Sequence, residues 1–330
     1  MRKILLIILT AVLFAGCSNN DEEENINGSD TNNQETNTEE KEGKNDDTLE
    51  ESENNDVEND TEVYGGAQKN PNYFIESQVF DIENKFYTAF SIKRDKDEGQ
   101  DFSPEDRLKE SLLSNDPSEQ DIFKSFTDLS LEDSNLEVHF NEEGTQLSTT
   151  TAQSDLFYDA LFGISDFYGV EEITFLNPDG KKDITVAERA VDSPIVVKEE
   201  RDFTRGYYTI YDEELGETFF LPGGELEEQV ANENGDPLSF PETVEAMGTI
   251  NDEDTFYASA IVEGIQIVDS SITNGVANVQ YTMDEDKVTE ADRTMFENAI
   301  QLAALDFHSW EVELINITLK ESNTYPLVGQ

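Results

Sequence analysis

The residues able to do chemistry are few for a chain of 330 residues. Its two histidines, His139 and His308, stand 169 positions apart and form no HExxH or other zinc-ligand spacing. His139 lies in the segment LEVHF, where strand alternation sets it opposite Val138 and Phe140 and toward solvent. His308 follows a long amphipathic segment, where an imidazole suits the C-terminal end of a helix dipole. The stretch from Gly163 to Phe167, GISDF, begins like a GxSxG nucleophile elbow and ends differently, so no serine is singled out. Carboxylates crowd the chain, 75 Asp and Glu against 21 Lys and Arg, and a catalytic pair cannot be told from that background. These patterns predict a protein that is not an enzyme and holds no cofactor.

Calcium is the one metal with candidate ligands. Asn232, Asn234 and Asp236 in NENGD, with Asp252 and Asp254 in DED, gather side-chain oxygens in loops. NxNGD echoes part of an EF-type loop but lacks the spacing to a terminal bidentate glutamate. The same composition also makes a hydrogen-bonded Asn/Asp/Gly turn, as does NPDG from Asn177 to Gly180.

The only cysteine, Cys17, sits at the end of MRKILLIILTAVLFAGC, a basic start followed by an apolar run of 11 residues from Ile4 to Phe14. That run is shorter than the roughly 20 residues a bilayer span needs and reads as a signal peptide. FAGC resembles the bacterial lipobox, in which small residues precede a cysteine that is diacylglycerated and becomes the mature N-terminus. Residues 1–16 are thus the expected signal peptide and Cys17 the expected lipidation site. Two acyl chains on one residue give stable anchoring where one is marginal. With Cys17 so used, no disulfide, thiolate nucleophile or cysteine metal site is expected.

An acidic linker follows, 17–66 with the lipidated residue. Between Ser18 and Glu62 it carries 18 acids and two lysines, and only Ile26, Leu49 and Val57 from the large aliphatics. Such a segment cannot bury enough apolar surface to offset its ordering entropy and is expected to be disordered. As a flexible chain it would reach on the order of 40 Å. Val63 to Gln330 keeps 57 acids against 17 bases, so the folded part is itself acidic. Nucleic acid and anionic wall polymers are repelled by such a surface and are not expected partners.

The folded part repeats itself. Pro104 and Pro241, both suited to the first turn of a helix, lie 137 positions apart. LEVHF (136–140) answers ANVQY (277–281) at 141, and Phe157, Ala160 and Leu161 answer Phe296, Ala299 and Ile300 at 139. Ile173 and Phe175 answer Val312 and Leu314, again at 139. A fixed order of elements at a near-constant offset marks an internal duplication. In the second copy IQIVDSSI and VANVQYT flank Asn274-Gly275, a strong hairpin signal. Thr289 and Asp292 form an approximate capping box, and Met295, Phe296, Ala299, Ile300 and Ala303 recur on one helical face. FYTAFSI in one half, and RGYYTIY with ETFFL in the other, add a leading strand to each. The expected fold is α+β, two tandem domains at 67–190 and 191–320, each a small sheet with helices on one face, and a tail at 321–330.

The skeleton PEDRLKESLL, LEVHF and LFYDALFGISDFYGVEEITF, and its counterpart PETVEAM, GIQIVDSSITNGVANVQY and MFENAIQLAALDFHSWEVELI, resembles the GerM domain family of sporulation and spore germination. The resemblance covers roughly Asn70 to Leu319 and rests on apolar spacing. It implies a fold related to ring-building motifs, and an exported, often tandem-domain lipoprotein working through envelope protein partners. Where family members commonly carry Gly-Pro after the first helix, this chain has Ser114 to Pro117 (SNDP) and Gly248-Thr249. YYTIYDEELGETFFLP with the second unit is also similar to the extracytoplasmic half of sigma-X-type anti-sigma factors, which implies a ligand-binding or sensory module in envelope-stress signalling as the alternative. Either resemblance implies the outer face of the cytoplasmic membrane, in a Gram-positive bacterium.

Overall fold

The computed structural model describes residues 64–94, 102–114, 122–142, 151–201, 204–252 and 255–327, all within one compact unit, Asp60–Gln330. Cys17, the signal peptide and nearly all of the linker lie outside the described residues.

In chain order the elements are β1 (Gly65–Gln68), β2 (Tyr73–Ile82), β3 (Lys85–Arg94), α1 (Pro104–Ser114), β4 (Phe126–Glu132), β5 (Asn135–Phe140), α2 (Thr151–Phe167) and β6 (Glu172–Leu176). A hairpin of β7 (Ile184–Val186) and β8 (Arg189–Val191) leads to β9 (Ile195–Val196) and the one-turn α3 (Val197–Arg201). Then come β10 (Tyr207–Asp212), β11 (Glu217–Pro222), α4 (Phe240–Ala246), β12 (Ala258–Ser259), β13 (Ile265–Thr273), β14 (Val276–Met283), α5 (Glu290–Asp306), β15 (Glu311–Asn316) and β16 (Glu321–Pro326). The class is α+β, as the sequence pattern predicts.

The duplication is visible residue by residue. One lobe has strand order β4-β5-β6-β9 and the other β13-β14-β15-β16, with β1 added beyond β16. In each, an antiparallel hairpin is followed by a helix and a strand parallel to the second hairpin strand. Leu136 faces Ile173 as Ala277 faces Val312, and Val138 faces Phe175 as Val279 faces Leu314. All eight are buried, as are Phe157, Ala160 and Leu161 against Phe296, Ala299 and Ile300. The second hairpin turns at Asn274-Gly275, both at positive φ, with Trp310 against Gly275. That tryptophan is 37% exposed and covers the turn, so its bulk is not in the core where an aromatic is expected by default.

Helix ends repeat as well. Thr289 and Asp292 make a reciprocal capping box on α5, and Ser239 with Glu242 does so on α4. Ser103 and Asp106 exchange the same bonds at α1, with Ser103 Oγ accepting from Asp106 N at 3.1 Å. The caps correspond at an offset of 136 where the prolines correspond at 137, because Pro104 directly follows its cap and Pro241 is one residue further in. At the C-terminal ends, Gly169 N donates to Asp166 O and Val170 N to Ser165 O, while His308 N donates to Leu305 O and Ser309 N to Ala304 O. His308 therefore occupies, at φ 53°, the left-handed position that Gly169 occupies at 75°. Partial burial holds its ring below the ordinary histidine pKa.

Three expectations need correction. First, the leading strands do not join their own lobes. β2 and β3 pair with β10, β11 and β12 in a shared sheet of order β12-β10-β11-β3-β2, joined where Phe90 faces Phe220. Tyr87 to Ile92 and Tyr207 to Ile210 are continuously buried, because this sheet is covered on both faces. Phe90, Ile92, Tyr207 and Phe220 belong to the main core, and Tyr87, Ala89, Ile210, Phe219 and Leu221 to a smaller cluster on the opposite face. Second, a boundary at 190/191 cuts β8; β9 pairs with β6 and α3 packs on α2, so the first lobe runs to Arg201. Third, β16 occupies 321–326 of the expected tail, and β1 starts within the expected linker at Gly65. ESNTYP is polar enough to mislead, yet its buried polar groups are satisfied: Ser322 Oγ donates to Glu313 at 2.9 Å and Asn323 Nδ2 to Glu297 at 3.4 Å.

Candidate functional site

Two places combine unusual chemistry with access. The first is the junction where the lobes meet the shared sheet. Arg201, the last residue of α3, has a side chain only 7% exposed. It reaches Asp166 at 2.7 Å, near the end of α2, and Asp306 at 4.0 Å, the last residue of α5. Its guanidinium also lies over the rings of Phe90 and Phe167. Tyr207 donates to Asp306 at 2.8 Å and Thr204 donates to it at 3.3 Å. One cation thus serves the carboxylates at the C-terminal ends of both repeat helices, where the backbone dipoles also favour positive charge.

Beside this junction lies a cavity of about 290 Å³ whose walls include Lys85, Asp159, Glu200, Arg201 and Glu225. Burial raises Asp159 to about 6, with Asp155 adding to the effect, and burial with Asp159 raises Glu225 to about 7. Burial likewise raises Asp306 to about 6, against the opposing pull of Arg201. These carboxylates bind protons more tightly folded than unfolded, so stability falls as pH rises from about 4 to about 7. For Asp306, a shift of about two units corresponds to about 3 kcal/mol. The midpoint of thermal unfolding is expected to rise by several degrees between pH 8 and pH 5, and the profile of Asp306→Asn to be flatter. A midpoint that falls on acidification over this range contradicts the assignment.

The second place is the outer edge of the second lobe. Among the described residues no strand pairs with the outer side of β13. A groove of about 800 Å³ runs between it and α4, lined by Val244, Ile261, Val262, Ile265 and Ile267 with Glu245 and Asp269. A bulge between Ile267 and Asp269 turns Val268 outward, 55% exposed. On the matching edge of the first lobe, also a terminal strand among the described residues, the Glu105 carboxylate of α1 accepts the Leu131 amide of β4 at 3.1 Å.

Comparison with known proteins adds the following. This chain is similar to the tandem GerMN domains of the sporulation protein GerM from Bacillus subtilis. The match has a TM-score of 0.41 and 10% sequence identity, and covers 78% of this chain and 97% of that one. No family model matches the sequence, and no curated protein matches it.

The calcium candidates are dispersed into local roles. Asn232 Oδ1 accepts from Asn234 N at 2.9 Å and Asp236 N at 3.1 Å, while Asn232 N donates to Asp236 O. Asn177 makes the same bonds to Asp179 and Lys181, so NENGD and NPDG are one kind of turn used twice. Asp252 is not part of that turn, and Asp254 lies outside the described residues. Among the described residues no group of three His, Cys, Asp or Glu is placed to hold a metal, and no helix is long and apolar enough to cross a membrane. His139 stands at the surface of β5, its ring 4.0 Å from Glu137. Arg201, Asp166 and Asp306 escaped sequence reasoning because nothing local links positions 35 and 105 residues apart. The apparent start of GxSxG has a packing cause: Gly163 admits the Phe90 ring against the α2 backbone.

Proposed function

We propose that this chain is a lipid-anchored protein on the outer face of the cytoplasmic membrane, acting without catalysis through protein–protein contacts in sporulation, germination or envelope assembly. The observation that carries the contact reading is the β13 edge, which no described strand covers, with the groove beside it. An unpaired strand edge is a template for pairing with another chain. The anchor rests on Cys17 in its lipobox, and the biological setting on the resemblance of the duplicated skeleton to GerM domains. A ligand-binding sensory module is the second reading, favoured by the charged cavity beside Arg201.

The test compares the native chain with Cys17→Ala in intact growing and sporulating cells after crosslinking. The native chain is expected in the membrane fraction with discrete heteromeric adducts, and the variant in the soluble fraction. Unchanged membrane fractionation of the variant refutes the anchor. Monomer alone in both cell states refutes the contact reading.

A further inference from the structure

We propose that the β13 edge takes up an extended, basic segment of another protein as an additional strand, with alternate side chains seated in the groove beside α4. This rests on the contact reading above and names the chemistry of the partner. A strand added to an edge gains affinity from main-chain hydrogen bonds and specificity from pockets met by every second side chain. Both are present here: among the described residues no strand pairs with the outer side of β13, and Val244, Ile261, Val262 and Ile267 line the groove together with Glu245 and Asp269. Register is continuous from Asp269 to Thr273, which leaves a straight run for a partner. On the β4 edge of the first lobe, by contrast, the Leu131 amide is already bonded to the Glu105 carboxylate.

Charge selects the occupant. A second copy would bring 57 acids against 17 bases over Val63 to Gln330, and the segment before it holds 18 acids and two lysines. Both are repelled by the acidic residues lining the groove. A segment alternating Lys or Arg with aliphatic residues is attracted and fits the apolar lining.

The experiment uses the full chain in detergent and a capped ten-residue peptide alternating Lys and Val, with an alternating Glu and Val peptide as control. Affinity is read by fluorescence anisotropy and location by amide hydrogen exchange. The Lys–Val peptide is expected to bind more weakly as salt rises and to slow exchange over 265–273 but not over 126–132. The double variant Glu245→Lys/Asp269→Lys is expected to weaken that binding at least tenfold and to gain binding of the Glu–Val peptide. Affinity unchanged by the double variant, protection shared equally with 126–132, or no protection of 265–273 overturns the proposal. Failure here together with heteromeric adducts in cells removes only the β13 assignment; absence of all adducts removes the contact reading beneath it.

Discussion

Arg201→Met is expected to destabilise the fold by about 3–5 kcal/mol, the cost of stripping a buried pair of its cation. The substitution keeps much of the side-chain volume over Phe90 and Phe167, so packing is not the main loss. What it removes is the positive charge between Asp166 and Asp306, whose side chains are 13% and 3% exposed. Two carboxylates then face each other in a dry junction at the negative ends of two helices. The loss is therefore expected to shrink on going from pH 8 to pH 5, as Asp306 takes up a proton. Combining Arg201→Met with Asp166→Asn and Asp306→Asn is expected to restore much of the stability, because no unpaired charge remains. Chemical denaturation of the native chain, Arg201→Met and the triple variant at both pH values measures this. A loss below about 1 kcal/mol for the single variant, in the range of surface pairs, contradicts the account of the junction.

Gly163→Ala is expected to cost about 2 kcal/mol, although alanine is the better helix former by about 1 kcal/mol. A Cβ at this position would lie 2.2 Å from Cζ of Phe90 and 2.7 Å from its Cε1. The ring is packed against its neighbours and also borders the cavity beside the junction. It is 2% exposed, packs edge-on against Phe167 with centroids 5.3 Å apart, and lies under the Arg201 guanidinium. Phe90→Leu is expected to be destabilising alone and to rescue part of the Gly163→Ala loss, so the double-mutant cycle should show coupling above about 1 kcal/mol. Additive effects, or a stabilised Gly163→Ala, would mean that the shared sheet does not press on α2 as described.

These two variants probe what was hardest to read in the sequence. Local signals carried the lobes well. Asn274-Gly275 is the hairpin turn, Thr289 and Asp292 form the capping box, and the 139-residue offset holds from Phe157 and Phe296 through Phe175 and Leu314. Each is decided within a few residues of chain or by periodicity. The shared sheet is decided by β3 meeting β11 across some 130 residues, and alternation says nothing about which strand is a neighbour. FYTAFSI did hold one clue, since a run of apolar and small residues without strict alternation or charge suits a strand covered on both faces. β16 was misread for the opposite reason. Its polar residues look like tail, but Ser322 and Asn323 find their partners only once β15 and α5 are in place. The difference at the strand edges was equally hidden, because Glu105 bonds the Leu131 amide while Glu242, its match at the proline offset, is used in the α4 capping box.

The most direct measurement is site-specific photo-crosslinking in intact cells, growing and sporulating, from probes placed singly at Val268, Tyr211 and Leu215. All three side chains are well exposed, at 55%, 60% and 56%, and they sample the β13 edge and the far hairpin of the shared sheet. A discrete heteromeric adduct with an envelope protein in at least one state, from Val268 and not from the other two, is the expected result. Monomer alone from every position in both states would contradict the claim that this protein works through contacts with other proteins.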